Sequence, residues 1–309
     1  MNIALLLQRS ISTNFPHCPY REISPWAQEY RRAGVEPPPI EPLESTPRVL
    51  RHYRKIYDLE GLAKKNWQTI VIAYLSMCSM VDQLVGRLRN ELKEQGIENQ
   101  TIFIFTSDNG DFTGEHGCAE KWDTCFYECL VHMPLQMQLP GLLPEGKRFS
   151  QLVELIDIAP TILDLCELPI PRWMMGRSLV PLMRGETNTH REAVFSEGGL
   201  EAEALARAPH YDSPEAERMK PDYYWKQKVL IEDRSSLARA KMVRTERFKY
   251  IYRVTGEEEL YDLERDPNEF RNIASDPDSR GVIDEMRKRL LRWLVDTETD
   301  RPYVEKLFA

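Results

Sequence analysis

A helical pattern of apolar residues that runs directly into a short apolar strand constrains this fold more than any other feature. Over residues 67–95 apolar side chains recur every three or four positions, which predicts an amphipathic helix that ends at Gly96. Residues 101–105 are β-branched or aromatic throughout and predict a strand that is buried on both faces. A helix followed by such a strand indicates an α/β layer structure with parallel strands.

Three other elements are expected in the first part of the chain. The patterns predict strands over residues 3–7 and 135–139, and a helix over residues 153–165 whose early proline suits a first helical turn. Together with the first helix and strand, they indicate an α/β core over residues 1–185.

The character of the sequence changes after residue 185. Short strands are predicted over residues 241–252 and 259–263, with Gly256 in the turn between them. An amphipathic helix is predicted over residues 283–295, with one apolar face formed by Ile283, Met286, Leu290, Leu291 and Leu294. We therefore expect a smaller C-terminal α+β subdomain over residues 186–309.

Charge and hydropathy exclude two classes of partner. The 309 residues carry 41 basic and 49 acidic side chains, a formal net charge of -8. Nucleic-acid binders normally show a basic excess or a basic stripe, and this chain has neither. The longest apolar runs are about five residues, far short of the roughly 20 that a membrane span needs. We expect no nucleic-acid partner and no membrane span.

The six cysteines indicate free thiols rather than a disulfide scaffold. They are widely spaced, and none belongs to a C-x-x-C pair. Free thiols slightly favour the cytoplasm, although a signal peptide ahead of this sequence would change that expectation, so the location stays open.

Polar residues follow the buried strand directly. Ser107-Asp108-Asn109-Gly110 stands at the carboxyl end of that strand, where ligands bind in open α/β sheets. A carboxylate and an amide side by side offer hard oxygen ligands that suit Ca²⁺ or Mg²⁺. The alternative is a plain Asp-Asn-Gly turn, which these residues favour for backbone reasons.

Further motifs follow at short intervals and make the first interpretation stronger. In order, they are Gly114-Glu115-His116-Gly117, Lys121, Met133-Pro134-Leu135 and Pro140-Gly141. Elsewhere the chain has Pro16-His17-Cys18-Pro19-Tyr20, Phe248-Lys249-Tyr250-Ile251 and Glu259-Leu260-Tyr261-Asp262-Leu263. This ordered set resembles the sulfatase family of the alkaline-phosphatase superfamily. The resemblance implies an α/β/α sandwich that is N-terminally incomplete.

The resemblance also implies a metal site. Asp108 and Asn109 match the family positions that ligate a divalent cation, usually Ca²⁺, with Mg²⁺ or Mn²⁺ as alternatives. Relatives that act on phosphate esters or phosphonates often have histidine at the second position. Asn109 therefore favours calcium and a sulfate ester, either a small molecule or a carbohydrate.

Two further residues receive catalytic and substrate-binding roles from the resemblance. Lys121 matches the lysine that contacts the sulfate and the leaving-group oxygen, and His17 matches the histidine that can protonate that oxygen. The alternatives are an ordinary surface lysine and a structural histidine. His116 receives no chemical role, and we expect it to be structural.

The nucleophile of the family is missing from this sequence. In the family it is a Cys or Ser within a C/S-x-P-S-R motif and is oxidised to formylglycine. We expect this motif to lie N-terminal to Met1. Around Cys18 the proline and arginine each come one position too early, and the arginine after Ser45 also comes one position early. The chain alone is therefore expected to be inactive.

Three hypotheses remain open. The chain is part of a working sulfatase, part of a related phosphonate or phosphate-ester hydrolase, or a non-catalytic remnant. Residues 21–66 and 199–240, which carry no readable motif, are expected to set substrate specificity.

Overall fold

The computed structural model describes residues 10–201, 203–204 and 224–297. The predicted strand over residues 3–7 lies outside the described residues. Helix α1 spans Trp26–Ala33, α2 spans Arg48–Ile56 and α3 spans Lys64–Glu94. The predicted first helix is thus confirmed as α3, and Gly96 follows it with a positive φ of 68°.

Helix α3 is buried over its first half only. The buried side chains lie between Trp67 and Val81, and Ser76 accepts a hydrogen bond from the backbone amide of Ile23 at 2.9 Å. Beyond that point the helix is largely exposed, with Leu84 40% and Leu88 37% accessible to solvent. The apolar stripe of α3 therefore extends beyond the part of the helix that other residues cover.

Among the described residues, α3 is the one helix whose length and apolarity would allow it to cross a membrane. The core helix of a soluble protein passes the same test, so this is weak evidence for a span. Helix α1 packs against α3, and 33% of the apolar window of α3 is buried. The absence of a membrane span stays a prediction.

Strand β1 spans Phe103–Thr106 and corrects part of the expectation for this region. It pairs antiparallel with β2, Leu135–Gln138, and its residues are half-buried or exposed. The predicted parallel pairing and full burial are therefore wrong for the part of the chain that the structure describes. An apolar run specifies a strand, but strand direction depends on which element comes to lie beside it.

Short helices lie between β1 and the second sheet in the sequence. Helix α4 spans Glu128–Val131, α5 spans Ile158–Leu165 and α6 spans Val180–Arg184. The helix predicted over residues 153–165 begins later than expected, because Leu155–Asp157 forms a separate 3-10 turn closed by a capping box.

A four-stranded antiparallel sheet dominates the C-terminal part. Its strands in spatial order are β3 (Val194–Gly198), β4 (Ala240–Arg244), β5 (Phe248–Arg253) and β6 (Glu258–Asp262). Helix α7 spans Tyr224–Glu232 and α8 spans Arg280–Thr297.

The strand predicted over residues 241–252 is in fact two strands. β4 and β5 are joined by a tight turn in which Thr245 and Phe248 exchange hydrogen bonds through backbone and side-chain atoms. The sequence contains no Gly, Pro, Asn or Asp at this turn, so the usual turn signal was absent. The turn around Gly256 is confirmed, with φ at 88°.

Side chains along each strand point alternately to the two faces of this sheet, and both faces bury apolar residues. Val243, Tyr250 and Leu260 pack under α8, whose Ile283, Met286 and Leu290 are buried as predicted. Leu291, expected on the same face, is 61% exposed.

The opposite face joins the main aromatic cluster. There Met242, Ile251 and Tyr261 meet Tyr53, Phe112, Trp122, Phe126 and Tyr127. This cluster therefore combines residues from both sides of position 185. The boundary at residue 185 stays a prediction.

Candidate functional site

The residues after β1 form a tight turn at the edge of a large groove. Ser107 Oγ donates to the carbonyl of Asn109 at 2.7 Å, and the Asn109 amide donates to Asp108 Oδ1 at 3.0 Å. Asp108 is exposed and Asn109 half-buried, and both line the groove. The turn uses only one of the two Asp108 carboxylate oxygens, as the acceptor for the Asn109 amide. The same residues can therefore form a turn and also ligate a metal ion.

Gly110 lets this turn pack closely on the segment before β2. Its amide donates to the carbonyl of Leu130 at 2.9 Å, and the amide of Asp111 donates to the carbonyl of Cys129 at 3.1 Å. A Cβ atom at position 110 would lie 1.9 Å from the Cys129 carbonyl oxygen. Only glycine fits, and the contact fixes where Asp108 and Asn109 leave the strand.

Lys121 lies in the same groove. It is half-buried and is one of the many residues that line this large groove. Burial raises the pKa of both Asp111 and Cys18, and the charge of Lys121 opposes that rise. The structure therefore brings three of the four predicted site residues to one groove.

His17, the fourth, does not line this groove. Its side chain is exposed, and Nδ1 lies 2.6 Å from the carbonyl oxygen of Cys18. Since a carbonyl only accepts hydrogen bonds, Nδ1 carries a proton and the neutral ring presents Nε2 as its basic atom. That tautomer suits exchange of a proton at Nε2.

A network that the sequence did not reveal connects the His17 segment to the Lys121 segment. Asp111 Oδ1 accepts from the Tyr20 hydroxyl at 2.7 Å and from Thr113 at 2.8 Å through both its amide and its hydroxyl. The Tyr20 oxygen in turn accepts from the Glu120 amide at 2.6 Å. Burial raises the pKa of Asp111, while these hydrogen bonds oppose that effect. The one sequence signal that could have indicated Asp111 is its position directly after the Asp108 motif.

Cys18 is not an alternative nucleophile in this arrangement. Burial and the neighbouring Glu120 carboxylate raise the pKa of its thiol to about 12. The thiol is therefore protonated at neutral pH, and a protonated thiol is a poor nucleophile.

A second network missed by the sequence analysis holds the sheet against the site. The Lys249 ammonium is fully buried and lies 2.8 Å from the carbonyl oxygen of Phe126, 2.8 Å from Glu128 Oε1 and 2.6 Å from Glu269 Oε1. Arg244 also contacts Glu128, at 2.9 Å. These ion pairs connect β4 and β5 to the segment that follows Lys121.

The donor set at the end of β1 fits a hard divalent cation. Asp108 supplies a carboxylate and Asn109 an amide oxygen, and both belong to the ligand types of Ca²⁺ and Mg²⁺. Ca²⁺ takes about six to eight oxygen ligands, so most of the shell would come from other groups.

Comparison with known proteins agrees with this fold. The family model of the N-sulphoglucosamine sulphohydrolase C-terminal region matches residues 114–198 and 212–296. An N-acetylglucosamine-6-O-sulfatase from Bacteroides thetaiotaomicron is 31% identical over 256 residues, which are 81% of this chain and 39% of that protein.

Solved structures give the same result. A phosphonate monoester hydrolase from Silicibacter pomeroyi is 25% identical with a TM-score of 0.71, over 93% of this chain and 55% of that one. A protein solved in complex with its substrate D-glucosamine-2-N,6-O-disulfate is 29% identical with a TM-score of 0.61, over 81% and 45%.

These neighbours define an alkaline-phosphatase-like α/β fold, as expected from the sequence. Within that superfamily, the chain belongs to the sulfatase family. The chain spans 39% of the length of the Bacteroides sulfatase and about half the length of the two solved structures.

Proposed function

We propose that this chain provides the metal-binding and sulfate-binding part of an enzyme that hydrolyses sulfate monoesters of carbohydrates. The observation that carries the proposal is that Asp108, Asn109 and Lys121 all line the same large groove. Sulfatase relatives support the reaction, and the two relatives whose names include glucosamine support the carbohydrate.

Asp108 and Asn109 would hold a calcium ion, with Mg²⁺ or Mn²⁺ as the alternatives. A bound dication would neutralise the negative charge of the sulfate group and of the nucleophile beside it. The two side chains stand on a turn whose position is fixed by Gly110, so they would meet the substrate without rearrangement.

Lys121 would bind the sulfate oxygens and the bridging oxygen of the ester. As the bond from sulfur to that oxygen breaks, negative charge grows on the oxygen, and a fixed ammonium stabilises it. Lys121 is half-buried, so water would screen its charge less than on an open surface.

His17 would donate the proton that the leaving oxygen needs. The doubly protonated ring would give that proton from Nε2, since the Nδ1 proton is held by the Cys18 carbonyl, and it would be left as the neutral Nδ1–H tautomer. His17 stands outside the groove, and the Tyr20–Asp111 contact is the link through which its segment would be kept close to Lys121.

A phosphonate or phosphate-ester hydrolase is the second candidate. Its support is the phosphonate monoester hydrolase at a TM-score of 0.71. Asn109 argues against it, because an amide oxygen favours calcium over the softer metals that histidine would suit.

The test uses an extended protein, which we define as this chain preceded by the coding sequence immediately upstream of Met1. We expect that sequence to contain a C/S-x-P-S-R motif whose Cys or Ser becomes formylglycine. The extended protein should hydrolyse 4-nitrophenyl sulfate and N-acetylglucosamine 6-sulfate, and a calcium chelator should abolish turnover. The chain alone should turn over neither substrate. Faster hydrolysis of 4-nitrophenyl phenylphosphonate would instead establish the second candidate.

A further inference from the structure

Glu115, His116 and Cys129 form a cluster of metal-ligand type that the proposed reaction does not use. One carboxylate oxygen, one ring nitrogen and the sulfur all lie within 4.8 Å of one another. His116 is buried, Cys129 is half-buried and Glu115 is exposed. The cluster is therefore anchored inside the protein and open to solvent on one side.

The backbone brings these residues together. The Asp111 amide donates to the Cys129 carbonyl at 3.1 Å, and the Glu115 amide donates to the Phe112 carbonyl at 2.7 Å. His116 has a positive φ of 55°, a conformation that non-glycine residues adopt at a cost. The loop therefore folds back over Cys129 and turns His116 inward.

Packing fixes the His116 ring. It lies against Tyr127 with the ring centroids 3.9 Å apart and the ring planes tilted by 32°, and it meets the edge of Phe270 at 5.6 Å. A ring held in this way loses little further entropy when one of its nitrogens binds a ligand.

Two buried polar atoms beside the cluster lack an aligned hydrogen bond. His116 Nδ1 lies 3.3 Å from Glu41 Oε2, and neither atom has a hydrogen-bond partner among the described residues. The two atoms face each other, so the ring is in contact with a buried carboxylate. A carboxylate next to the ring is also the usual partner of a metal-ligating histidine.

We propose that Glu115, His116 and Cys129 bind a divalent cation of the zinc class. Sulfur, imidazole and carboxylate together suit Zn²⁺, whereas Ca²⁺ prefers oxygen ligands alone. Three protein ligands leave one position of a tetrahedron for water, which the exposed side of the cluster provides. Binding releases the Cys129 thiol proton to solvent and forms a metal–thiolate bond.

This site is distinct from the pair Asp108 and Asn109, yet it lies behind the same turn. The cation would connect the loop carrying Glu115 and His116 to the segment of Cys129, on which that turn packs. Metal binding would therefore stiffen the turn without contacting the substrate.

The test is a titration of the 309-residue chain with Zn²⁺ against a competing chelator, together with Co²⁺ absorption spectra. We expect one Zn²⁺ per chain, and a sulfur-to-cobalt charge-transfer band that identifies a thiolate ligand. Cys129→Ser should weaken Zn²⁺ binding by at least about 100-fold and abolish the band, because outer-shell changes alone cost about 10–100-fold. Cys166→Ser, a half-buried cysteine elsewhere, is the matched control and should change neither.

A second variant keeps the result decisive if Cys129→Ser fails to fold. Glu115 is exposed, so Glu115→Gln should fold normally and weaken Zn²⁺ binding by at least about 10-fold. Failure to bind Zn²⁺, a cobalt spectrum without the thiolate band, or equal affinities in the Cys129 and Cys166 variants would overturn the proposal. Excess Ca²⁺ should not displace the Zn²⁺, which separates this site from Asp108 and Asn109.

Discussion

Replacing Lys249 with methionine should destabilise the protein strongly. The Lys249 ammonium is fully buried and has three oxygen neighbours within 2.8 Å. Methionine fills most of the volume but leaves the Phe126 carbonyl without its donor and Glu269 without its cation. Removing one partner of a buried ion pair costs about 3–5 kcal/mol, so we expect a loss of that size at pH 8.

The loss should depend on pH in a defined direction. Burial already raises the pKa of Glu269 from its ordinary value of 4.5, and Lys249 opposes that rise. Without Lys249 the pKa of Glu269 rises further, so the folded state holds the proton more tightly than the unfolded state. The variant therefore gains relative stability as pH falls, and its deficit should shrink steadily from pH 8 to pH 5.

Urea denaturation followed by circular dichroism measures this effect. Lys65→Met, an exposed lysine of α3, is the matched control and should change the free energy of unfolding by less than about 0.5 kcal/mol. Adding Glu269→Gln to Lys249→Met should recover part of the loss, because the stranded charge is gone. A loss under about 1 kcal/mol, or a deficit that does not vary with pH, would refute the reasoning.

Three further substitutions test other contacts by the same denaturation assay. Gly110→Ala should cost more than about 2 kcal/mol, since its Cβ would lie 1.9 Å from the Cys129 carbonyl oxygen, whereas Gly86→Ala meets nothing within 4 Å in α3 and should stabilise by about 0.5–1 kcal/mol. Equal effects of the two alanines would contradict the packing of the turn. Asp157→Asn should cost about 3–5 kcal/mol at neutral pH. Despite the opposing effect of burial, arginine and histidine contacts hold the Asp157 pKa well below its ordinary 3.8, so the gap to wild type should close as pH falls below that value. Tyr20→Phe should cost about 1–3 kcal/mol, because it removes a hydroxyl that serves a buried carboxylate and a backbone amide; an unchanged unfolding midpoint would show that this bridge is unimportant.

Local patterns predicted the elements that are long or uniform. Helix α3 has a sustained period, and β1 follows it as an unbroken apolar run, so both could be placed within a few residues. The division between β4 and β5 was missed because Thr245 and its neighbours make a turn from residues that are equally common in strands. The direction of pairing of β1 was mispredicted because it depends on a segment some thirty positions further along the chain.

The candidate site was predictable only where its residues are neighbours in sequence. Asp108 and Asn109 are adjacent, and Lys121 follows within one loop. A lysine inside a strand pattern is typical of a solvent-facing position, so the buried role of Lys249 depends on Glu128 and Glu269, which only the fold brings near. The same holds for Cys129 and His116, which the folded-back loop brings together.

Sulfate release by the extended protein, compared between wild type and Lys121→Met, tests the central claim most directly. Lys121 is half-buried in the groove and makes no ion pair within the described part of the chain, so the variant should fold normally. With 4-nitrophenyl sulfate and calcium present, we expect kcat to fall by about 10²–10³-fold, the usual effect of removing one group that stabilises transition-state charge. Wild-type turnover in the folded Lys121→Met variant would contradict the assignment of this groove as the sulfate site.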